Sequence, residues 1–129
     1  FREAVRAGGE SVQKLQAFFH TPEARTEALR QLGEAYPQLI LSSSLPGNLE
    51  INAPGATKGD ALLALCRALG LAPACAVAFG DGTNDMTMIR SAGIGVAMAN
   101  AEPEVLAVAD LVAPSNQEDG VAQVLSRWF

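Results

Sequence analysis

The first half of the chain has a mixed pattern of apolar and polar positions that predicts an α+β arrangement. Val12 to Phe19 alternates loosely and predicts a strand. A helix start follows, with Thr21 as the N-cap and Pro22 at the first helical position, and Pro37 ends that helix. The turn-forming residues Pro46-Gly47-Asn48 then separate two short apolar runs, which predicts a hairpin-like pair of strands.

From residue 55 onward, helical patterns alternate with short apolar runs. The run at 75–79, CAVAF, is continuously apolar, as in a parallel strand that is buried on both faces. Strands that alternate with helices at these lengths predict a doubly wound, parallel-sheet α/β layer. The change of pattern places a domain boundary between 1–54 and 55–129. The predicted helices are 57–70, about 85–92, about 102–109 and about 118–128, and the predicted strands are 75–79, 94–98 and 111–113.

Composition narrows the class of protein without identifying its chemistry. The chain has 129 residues, 49% of them hydrophobic, and a net charge of -5. It has no basic patch of the kind that binds nucleic acid. No apolar run approaches the ~20 residues of a membrane span, and the charged, glycine-rich N-terminal stretch does not resemble a signal peptide. These features predict a globular, cytoplasmic protein.

The cysteine and histidine content excludes several kinds of site. Cys66 and Cys75 both lie in apolar stretches, which predicts buried, reduced thiols, and their spacing does not favour a disulfide or a metal pair. His20 is the only histidine. A histidine-based metal cage or a Ser/His/Asp triad therefore has almost no raw material within this sequence.

The strongest candidate chemistry is the acidic loop Gly80-Asp81-Gly82-Thr83-Asn84-Asp85, which follows the apolar run at 75–79. Ligands of open parallel sheets bind beyond the carboxyl ends of the strands. Asp81 is placed there to ligate Mg²⁺, which needs only one or two carboxylates because it keeps several waters. Asn84 and Asp85 follow one turn later, where they can hold a metal-bound water or a phosphate oxygen. The alternative is that they cap the next helix.

A second candidate is Lys58, in the first turn of the helix that Thr57 caps. A cation at this end is electrostatically awkward, since the helix dipole favours an anion there. The position makes sense if Lys58 and the helix N-terminus together face a phosphate. The alternative is an ordinary solvated lysine.

Two asparagines follow later strands and are weaker candidates. Asn100 comes after the strand at 94–98, and Asn116 comes after the strand at 111–113. Both are placed to stand at the same sheet edge as Asp81, although capping of their own loops is the simpler interpretation.

Three stretches carry a family resemblance: ATKGDALLALCRALGL, VAFGDGTNDMTMIRSAGIGVAMANA and ADLVAPSNQEDGVAQVL. They resemble the Cof-like branch, with a type IIB cap, of the haloacid dehalogenase superfamily. The resemblance covers nearly all of residues 48–129, and residues 1–47 resemble the latter half of the cap by position and pattern. It implies a Rossmann-like core portion at 55–129 and part of an α+β cap domain at 1–54.

The resemblance also implies an activity and a set of roles. Members of this branch are Mg²⁺-dependent phosphohydrolases of small phosphomonoesters, often sugar phosphates, and they act through an aspartyl-phosphate. Lys58 and Asp81 would be the catalytic residues, with Lys58 neutralising phosphate and nucleophile. Asp81 would ligate Mg²⁺ with Asp85 supporting the metal shell, and Asn84 would help Lys58 to bind the phosphate.

The sequence departs from this family pattern in one respect. The family nucleophile lies in an Asp-x-Asp motif on the first core strand, and no Asp-x-Asp occurs upstream of the cap-like block in these 129 residues. We therefore expect the C-terminal portion of a longer phosphatase, inactive alone, with apolar sheet surface exposed and a tendency to self-associate.

Two other functions compete with the phosphatase. One is a non-catalytic relic or regulatory module that retains Mg²⁺ or phosphate binding. The other is a fragment of a P-type ATPase phosphorylation domain, whose hinge loop also resembles GDGxND. The ATPase is disfavoured because a membrane span and a phosphorylation segment are lacking in the sequence and because TKGDAL at 57–62 fits the Cof-like pattern better.

Overall fold

A computed structural model describes residues 3, 6–7, 14–45 and 47–128 of the protein. The chain divides into two compact units, Phe1–Gly55 and Ala56–Phe129. Each unit has its own three-stranded sheet.

Over residues 14–45 and 47–55, the first unit contains an antiparallel sheet and one long helix. The sheet has the strand order β1-β3-β2. The strand predicted at Val12 to Phe19 is present as β1, and residues 12 and 13 lie outside the described residues. Thr21 caps α1 by accepting a hydrogen bond from the backbone N–H of Ala24 at 3.2 Å, and Pro22 is its first residue, as predicted. The elements are β1 Lys14–Phe18, α1 Pro22–Ala35, β2 Ile40–Ser42 and β3 Asn48–Asn52.

The turn between β2 and β3 is organised by the side chain of Asn48, which is fully buried. Its Oδ1 accepts hydrogen bonds from Ser43 Oγ at 2.8 Å and from the backbone N–H groups of Ser44 and Leu45 at 3.1 and 3.2 Å. A buried carbonyl oxygen with three donors is well satisfied, so this amide fixes the path of the turn. The predicted hairpin is confirmed by the antiparallel pairing of β2 with β3, whereas Pro46 lies outside the described residues.

The second unit contains a parallel sheet in the order β4-β5-β6, with helices between successive strands. The predicted α/β class with a parallel sheet is confirmed. None of the described helices is both long enough and apolar enough to cross a membrane. The regular elements are α2 Lys58–Leu69, β4 Val77–Gly80, α3 Met86–Ser91, β5 Ile94–Met98, α4 Pro103–Leu106, β6 Leu111–Ala113 and α5 Gly120–Leu125, with 3₁₀ turns at Pro73–Cys75, Thr83–Asp85 and Asn116–Glu118.

The core of this unit lies on both faces of β5, because successive side chains of a strand point to opposite faces. Val96 and Met98 pack with Val124 of α5 on one face. Ala97 packs with Ile89 of α3 and Val105 of α4 on the other. All six of these side chains are buried. Coverage of both faces is what the doubly wound prediction requires.

The prediction for the run at 75–79 is wrong in two details. Cys75 is exposed and belongs to a 3₁₀ turn, so only Cys66 is a buried thiol; both are free. The strand begins at Val77, whose exposed fraction is 37%. The reason is that, within the part of the chain that the structure describes, β4 pairs only with β5 and is an edge strand.

The apolar side chains of α2 are only partly covered. Cys66 is buried, but Leu65 and Leu69 are 55% and 62% exposed. A 3.6-residue period identifies the apolar side of a helix, yet it does not tell whether another element packs on all of it.

The final helix begins later than expected, at Gly120 rather than near Glu118. Ser115 and Glu118 form a reciprocal pair of cap hydrogen bonds around a 3₁₀ turn. Asp119 then adopts a left-handed conformation with φ 55°, which separates that turn from α5. The polar residues at 115–119 therefore form a connection and not the first turn of the helix.

Candidate active site

Asp81 is the first residue after β4 and stands at the carboxyl end of the parallel sheet. Its side chain is exposed. The Oδ2 atom accepts one hydrogen bond, from Asn100 Nδ2 at 3.3 Å, and the backbone carbonyl accepts another from the N–H of Glu102 at 3.0 Å. An ionised carboxylate has about four lone-pair sites, so Asp81 retains most of its capacity to bind a ligand.

Asp85 is buried, with an exposed fraction of 5%, and closes the acidic loop back onto its own start. Its Oδ2 accepts hydrogen bonds from the backbone N–H groups of Asp81 at 3.0 Å and Gly82 at 3.2 Å. Its Oδ1 accepts a hydrogen bond from Lys58 Nζ. Both oxygens of Asp85 are therefore occupied by donors, which suits a residue that fixes the loop around Asp81.

Gly80 has a specific reason to be glycine. A Cβ atom built on it would lie 2.4 Å from Asp85 Cβ and 2.8 Å from Asp85 Cγ. Contacts this short do not occur in folded proteins without displacement of one partner. The absence of a side chain at Gly80 is what allows the Asp85 carboxylate to reach the amides of residues 81 and 82.

Lys58 is the first residue of α2, and the cap beside it is the one that the sequence predicts. Thr57 Oγ1 accepts a hydrogen bond from the N–H of Asp60 at 3.1 Å, and Asp60 Oδ2 accepts one from the N–H of Thr57 at 3.0 Å. The Thr57 hydroxyl and then its backbone N–H, both donating to the Asp60 carboxylate, hold the pKa of Asp60 below its usual value. The Lys58 side chain is half exposed, and its ammonium group forms an ion pair with the Asp85 carboxylate.

Thr87 fixes the start of α2 against the start of α3, a role that the sequence does not reveal. Its Oγ1 accepts a hydrogen bond from the N–H of Gly59 at 3.0 Å. A Cβ at Gly59 would lie 2.6 Å from the Thr87 carbonyl oxygen, so the two helices approach closely here. The neighbour of Lys58 is thus tied to the helix that follows the acidic loop.

Asn84 lies in the 3₁₀ turn Thr83–Asp85 and is half-buried. Its side chain makes no hydrogen bond with the described residues. The amide is therefore available to donate to an anion or to a metal-bound water. Its role in phosphate binding stays a prediction.

Asn100 and Asn116 both lie at the sheet edge that carries Asp81. The N–H of Asn116 donates to Asn100 Oδ1 at 3.0 Å, and the Asn100 amide donates in turn to Asp81. The loops after β4, β5 and β6 are thus joined by one chain of hydrogen bonds. Both asparagines stand at this edge, but the simpler interpretation that Asn100 caps its own loop is wrong, because its side chain bonds to the loops after β4 and β6.

The acidic loop offers one carboxylate that is free to bind Mg²⁺. Over the described residues, no three His, Cys, Asp or Glu side chains form a group that could enclose a metal ion. Within this loop Asp81 presents an exposed carboxylate, while Asp85 uses its two oxygens for the loop and for Lys58. This donor set fits Mg²⁺, which binds through one or two carboxylates and keeps waters, better than a cation that needs an all-protein cage.

Comparison with known proteins agrees with the fold. A family model described as haloacid dehalogenase-like hydrolase matches residues 4–125. A 5-amino-6-(5-phospho-D-ribitylamino)uracil phosphatase of Bacillus subtilis is 40% identical over 106 residues, which are 82% of this chain and 42% of that protein. A putative phosphatase of Haemophilus influenzae is 39% identical over 98 residues, 76% of this chain and 37% of the relative.

Solved structures give the same result. A haloacid dehalogenase-like hydrolase from B. subtilis superposes with a TM-score of 0.83 at 34% identity, over 91% of this chain and 41% of that one. A subclass IIB sugar phosphatase superposes with a TM-score of 0.80 at 28% identity, over 90% and 43%. This chain spans about two fifths of the length of these relatives. It belongs to the haloacid dehalogenase-like hydrolase family, and its resemblance to the Cof-like, subclass IIB branch is confirmed.

Proposed function

We propose that these residues form the metal- and phosphate-binding part of a phosphohydrolase that acts on small phosphomonoesters such as sugar phosphates. The observation that carries the proposal is the pairing of an exposed carboxylate, Asp81, with a lysine that Asp85 connects to the same loop. Two of the similar proteins are a phosphatase of a phosphoribityl compound and a sugar phosphatase, which supports this substrate class.

Lys58 supplies positive charge to the site. The Lys58 side chain is half exposed and its ammonium group is paired with Asp85, which orients the charge. A fixed cation stabilises the negative charge of a phosphoryl group during transfer, because it does not have to reorganise as the charge moves. Thr87 keeps this arrangement in register through its bond to Gly59.

Asp81 would hold Mg²⁺. Asp85 would keep Asp81 in place by accepting a hydrogen bond from the backbone N–H of Asp81. When bound, the ion would neutralise charge on the phosphoryl oxygens. The amide of Asn84, which has no other partner among the described residues, would donate to a phosphate oxygen. Each of these roles uses either an atom that accepts or donates no hydrogen bond among the described residues or a contact that is already made.

We propose that the nucleophile lies outside these 129 residues, because the chain spans only about two fifths of the length of its relatives. We propose that residues 55–129 are the C-terminal part of the core domain and that residues 1–54 are part of the cap. The reaction would proceed through an aspartyl-phosphate on the missing segment, in the cytoplasm. The 129-residue chain alone is then inactive.

The test is phosphate release from a panel of phosphate esters by the full-length protein that contains these residues, with Mg²⁺ added. Asp81→Ala and Lys58→Ala should each lower kcat/KM at least ~100-fold, since each removes several kcal/mol of charge stabilisation. Asp119→Asn is the matched control, because Asp119 is exposed and Asn accepts its positive φ. Full activity in Asp81→Ala would refute the proposal.

The inactivity of the 129-residue chain is tested with p-nitrophenyl phosphate. We expect no turnover above background. Turnover by the pure chain that is lost in Asp81→Ala would show that no further segment is needed.

A non-catalytic module is the second candidate, because the Lys58–Asp85 pair and the exposed Asp81 provide binding groups and no Asp-x-Asp motif occurs in these 129 residues. This module would bind Mg²⁺ or phosphate without turnover. It would be favoured if the full-length protein bound both ligands but hydrolysed no ester in the panel. The phosphatase relatives disfavour the P-type ATPase interpretation.

A further inference from the structure

The side chain of Asn100 lies between two groups that leave it only one orientation. On one side is the backbone N–H of Asn116, 3.0 Å from Asn100 Oδ1. On the other is the carboxylate of Asp81, whose Oδ2 is 3.3 Å from Asn100 Nδ2. A backbone N–H only donates and an ionised carboxylate only accepts, so the oxygen of Asn100 must face Asn116 and its NH₂ group must face Asp81.

We propose that Asn100 is a positioning residue that holds the Asp81 carboxylate in one orientation at the sheet edge. Asp81 is exposed, and an exposed carboxylate with one free χ1 torsion populates several staggered rotamers. A donor that is itself held by a second residue selects one of them. The loops after β5 and β6 thereby act on a side chain in the loop after β4.

The functional consequence rests on the proposed role of Asp81 as a ligand of Mg²⁺. A carboxylate that is already oriented loses less rotational freedom when it binds a cation. Removal of a residue that hydrogen-bonds to a metal-binding side chain and orients it lowers metal affinity by roughly 10- to 100-fold. The Asn100 contact is long and exposed, so we expect about 10-fold, the lower end of that range.

The competing explanation is that Asn100 merely stabilises its own loop. Loop stabilisation changes the unfolding midpoint but does not change the rotamer of Asp81 in the folded protein. The orientation of Asp81 therefore separates the two explanations, and it can be measured without any metal.

The first experiment measures the three-bond N–Cγ and C′–Cγ couplings of Asp81 by NMR in the isotopically labelled chain. Wild type should give the values of a single χ1 rotamer, and Asn100→Ala should give averaged values. Asn116→Pro should have the same effect, because it removes the N–H that fixes Asn100, while the Asn116 side chain that it also removes makes no hydrogen bond with the described residues. Proline is tolerated there, at the first position of a 3₁₀ turn after Ser115 with φ -62° and ψ 163°.

Gln117→Ala is the matched control, since Gln117 is an exposed amide side chain of the same turn without a hydrogen bond to the described residues. It should leave the Asp81 couplings unchanged. Averaged couplings in wild type, or a single rotamer retained in Asn100→Ala, would overturn the proposal. Circular dichroism of each variant confirms that the fold is intact before the couplings are compared.

The second experiment titrates the same chains with Mn²⁺ and measures the free ion by electron paramagnetic resonance. Asn100→Ala should raise the Kd about 10-fold and Gln117→Ala should not change it. An unchanged Kd in Asn100→Ala, in a chain that binds Mn²⁺ through Asp81, would refute the functional consequence. If Asp81→Ala binds Mn²⁺ as tightly as wild type does, or if neither chain binds Mn²⁺, the proposed role of Asp81 as a metal ligand is wrong. The NMR couplings still decide whether Asn100 orients the Asp81 side chain.

Discussion

Lys58 and Asp85 lie 27 positions apart in the sequence and form an ion pair with one exposed and one buried partner. The Lys58 side chain is 50% exposed, whereas that of Asp85 is 8% exposed and also accepts two backbone hydrogen bonds. The two halves of the pair are therefore unequal. Removal of Lys58 leaves Asp85 with two donors, but removal of Asp85 leaves two loop amides without their partner.

This inequality predicts that Asp85→Ala and Lys58→Ala lower the free energy of unfolding by different amounts. Asp85→Ala should lower the free energy of unfolding by about 2–3 kcal/mol, because hydrogen bonds to a charged, buried acceptor are lost. Lys58→Ala should lower it by at most about 1 kcal/mol, as for a partly exposed ion pair. Urea denaturation at neutral pH measures both values. Equal losses would show that the ion pair, and not the backbone bonds, dominates at Asp85.

Gly80 and Gly33 should respond in opposite directions to replacement by alanine. Gly80→Ala should destabilise the protein by about 1–3 kcal/mol, because the new Cβ would lie 2.4 Å from Asp85 Cβ. Gly33 lies within α1, and a Cβ added there would meet nothing within 4 Å, so Gly33→Ala should stabilise by about 0.5–1 kcal/mol. The midpoints of thermal unfolding show whether each substitution stabilises or destabilises the protein. A neutral Gly80→Ala would show that the acidic loop can move away from β4.

The cap of α2 should give a pH-dependent contribution to stability. The hydrogen bonds from Thr57 lower the pKa of Asp60 in the folded protein, so its stabilisation is fully present above the unfolded value and is lost as the pH falls. The stability difference between wild type and Asp60→Asn should be constant near neutral pH and should shrink below about pH 4.

Thr57→Ala provides the control for this titration. It removes the largest cause of the lowered pKa and should cost about 1 kcal/mol at neutral pH, as for other lost N-caps. In Thr57→Ala, the contribution of Asp60 to the free energy of unfolding should depend on pH less strongly than in wild type. A difference between wild type and Asp60→Asn that persists unchanged to about pH 2, below the range in which carboxylates titrate, would contradict the assignment.

Exposed apolar side chains on α2 and β4 predict self-association of the chain. Leu65 and Leu69 of α2 are largely exposed, and Val77 lies on β4, which pairs on one side only among the described residues. An unpaired strand edge beside apolar surface favours association. Analytical ultracentrifugation should show a concentration-dependent mass, and Leu69→Lys with Val77→Lys should reduce it. A monomer at all concentrations would refute this prediction.

The sequence predicted those features that depend on neighbours along the chain. The Thr57 cap, the parallel strand before Asp81 and the turn at 46–48 were all recognisable, because each is set by residues only a few positions apart. The exposure of Cys75 was predicted incorrectly. A continuous apolar run does not distinguish a central strand from an edge strand, since that depends on which strands are paired.

The contacts that complete the site were not predictable from local pattern. The bond from Gly59 to Thr87 and the bond from Asn100 to Asp81 join residues that are distant in sequence. A glycine directly after the lysine, and an asparagine shortly after each of two strand regions, were the only signals. Without a structure, neither signal identifies its partner.

The hydrogen bonds that connect Asn116, Asn100 and Asp81 also restrict which changes of chain length this protein can accept. Surface connections normally tolerate inserted or deleted residues. Between β6 and Asn116, however, one added residue would displace the N–H that holds Asn100 and would thereby release the Asp81 carboxylate in the loop after β4. Natural relatives that kept the same chemistry are expected to vary in length elsewhere, and this short connection should retain its residue count even where its sequence has diverged.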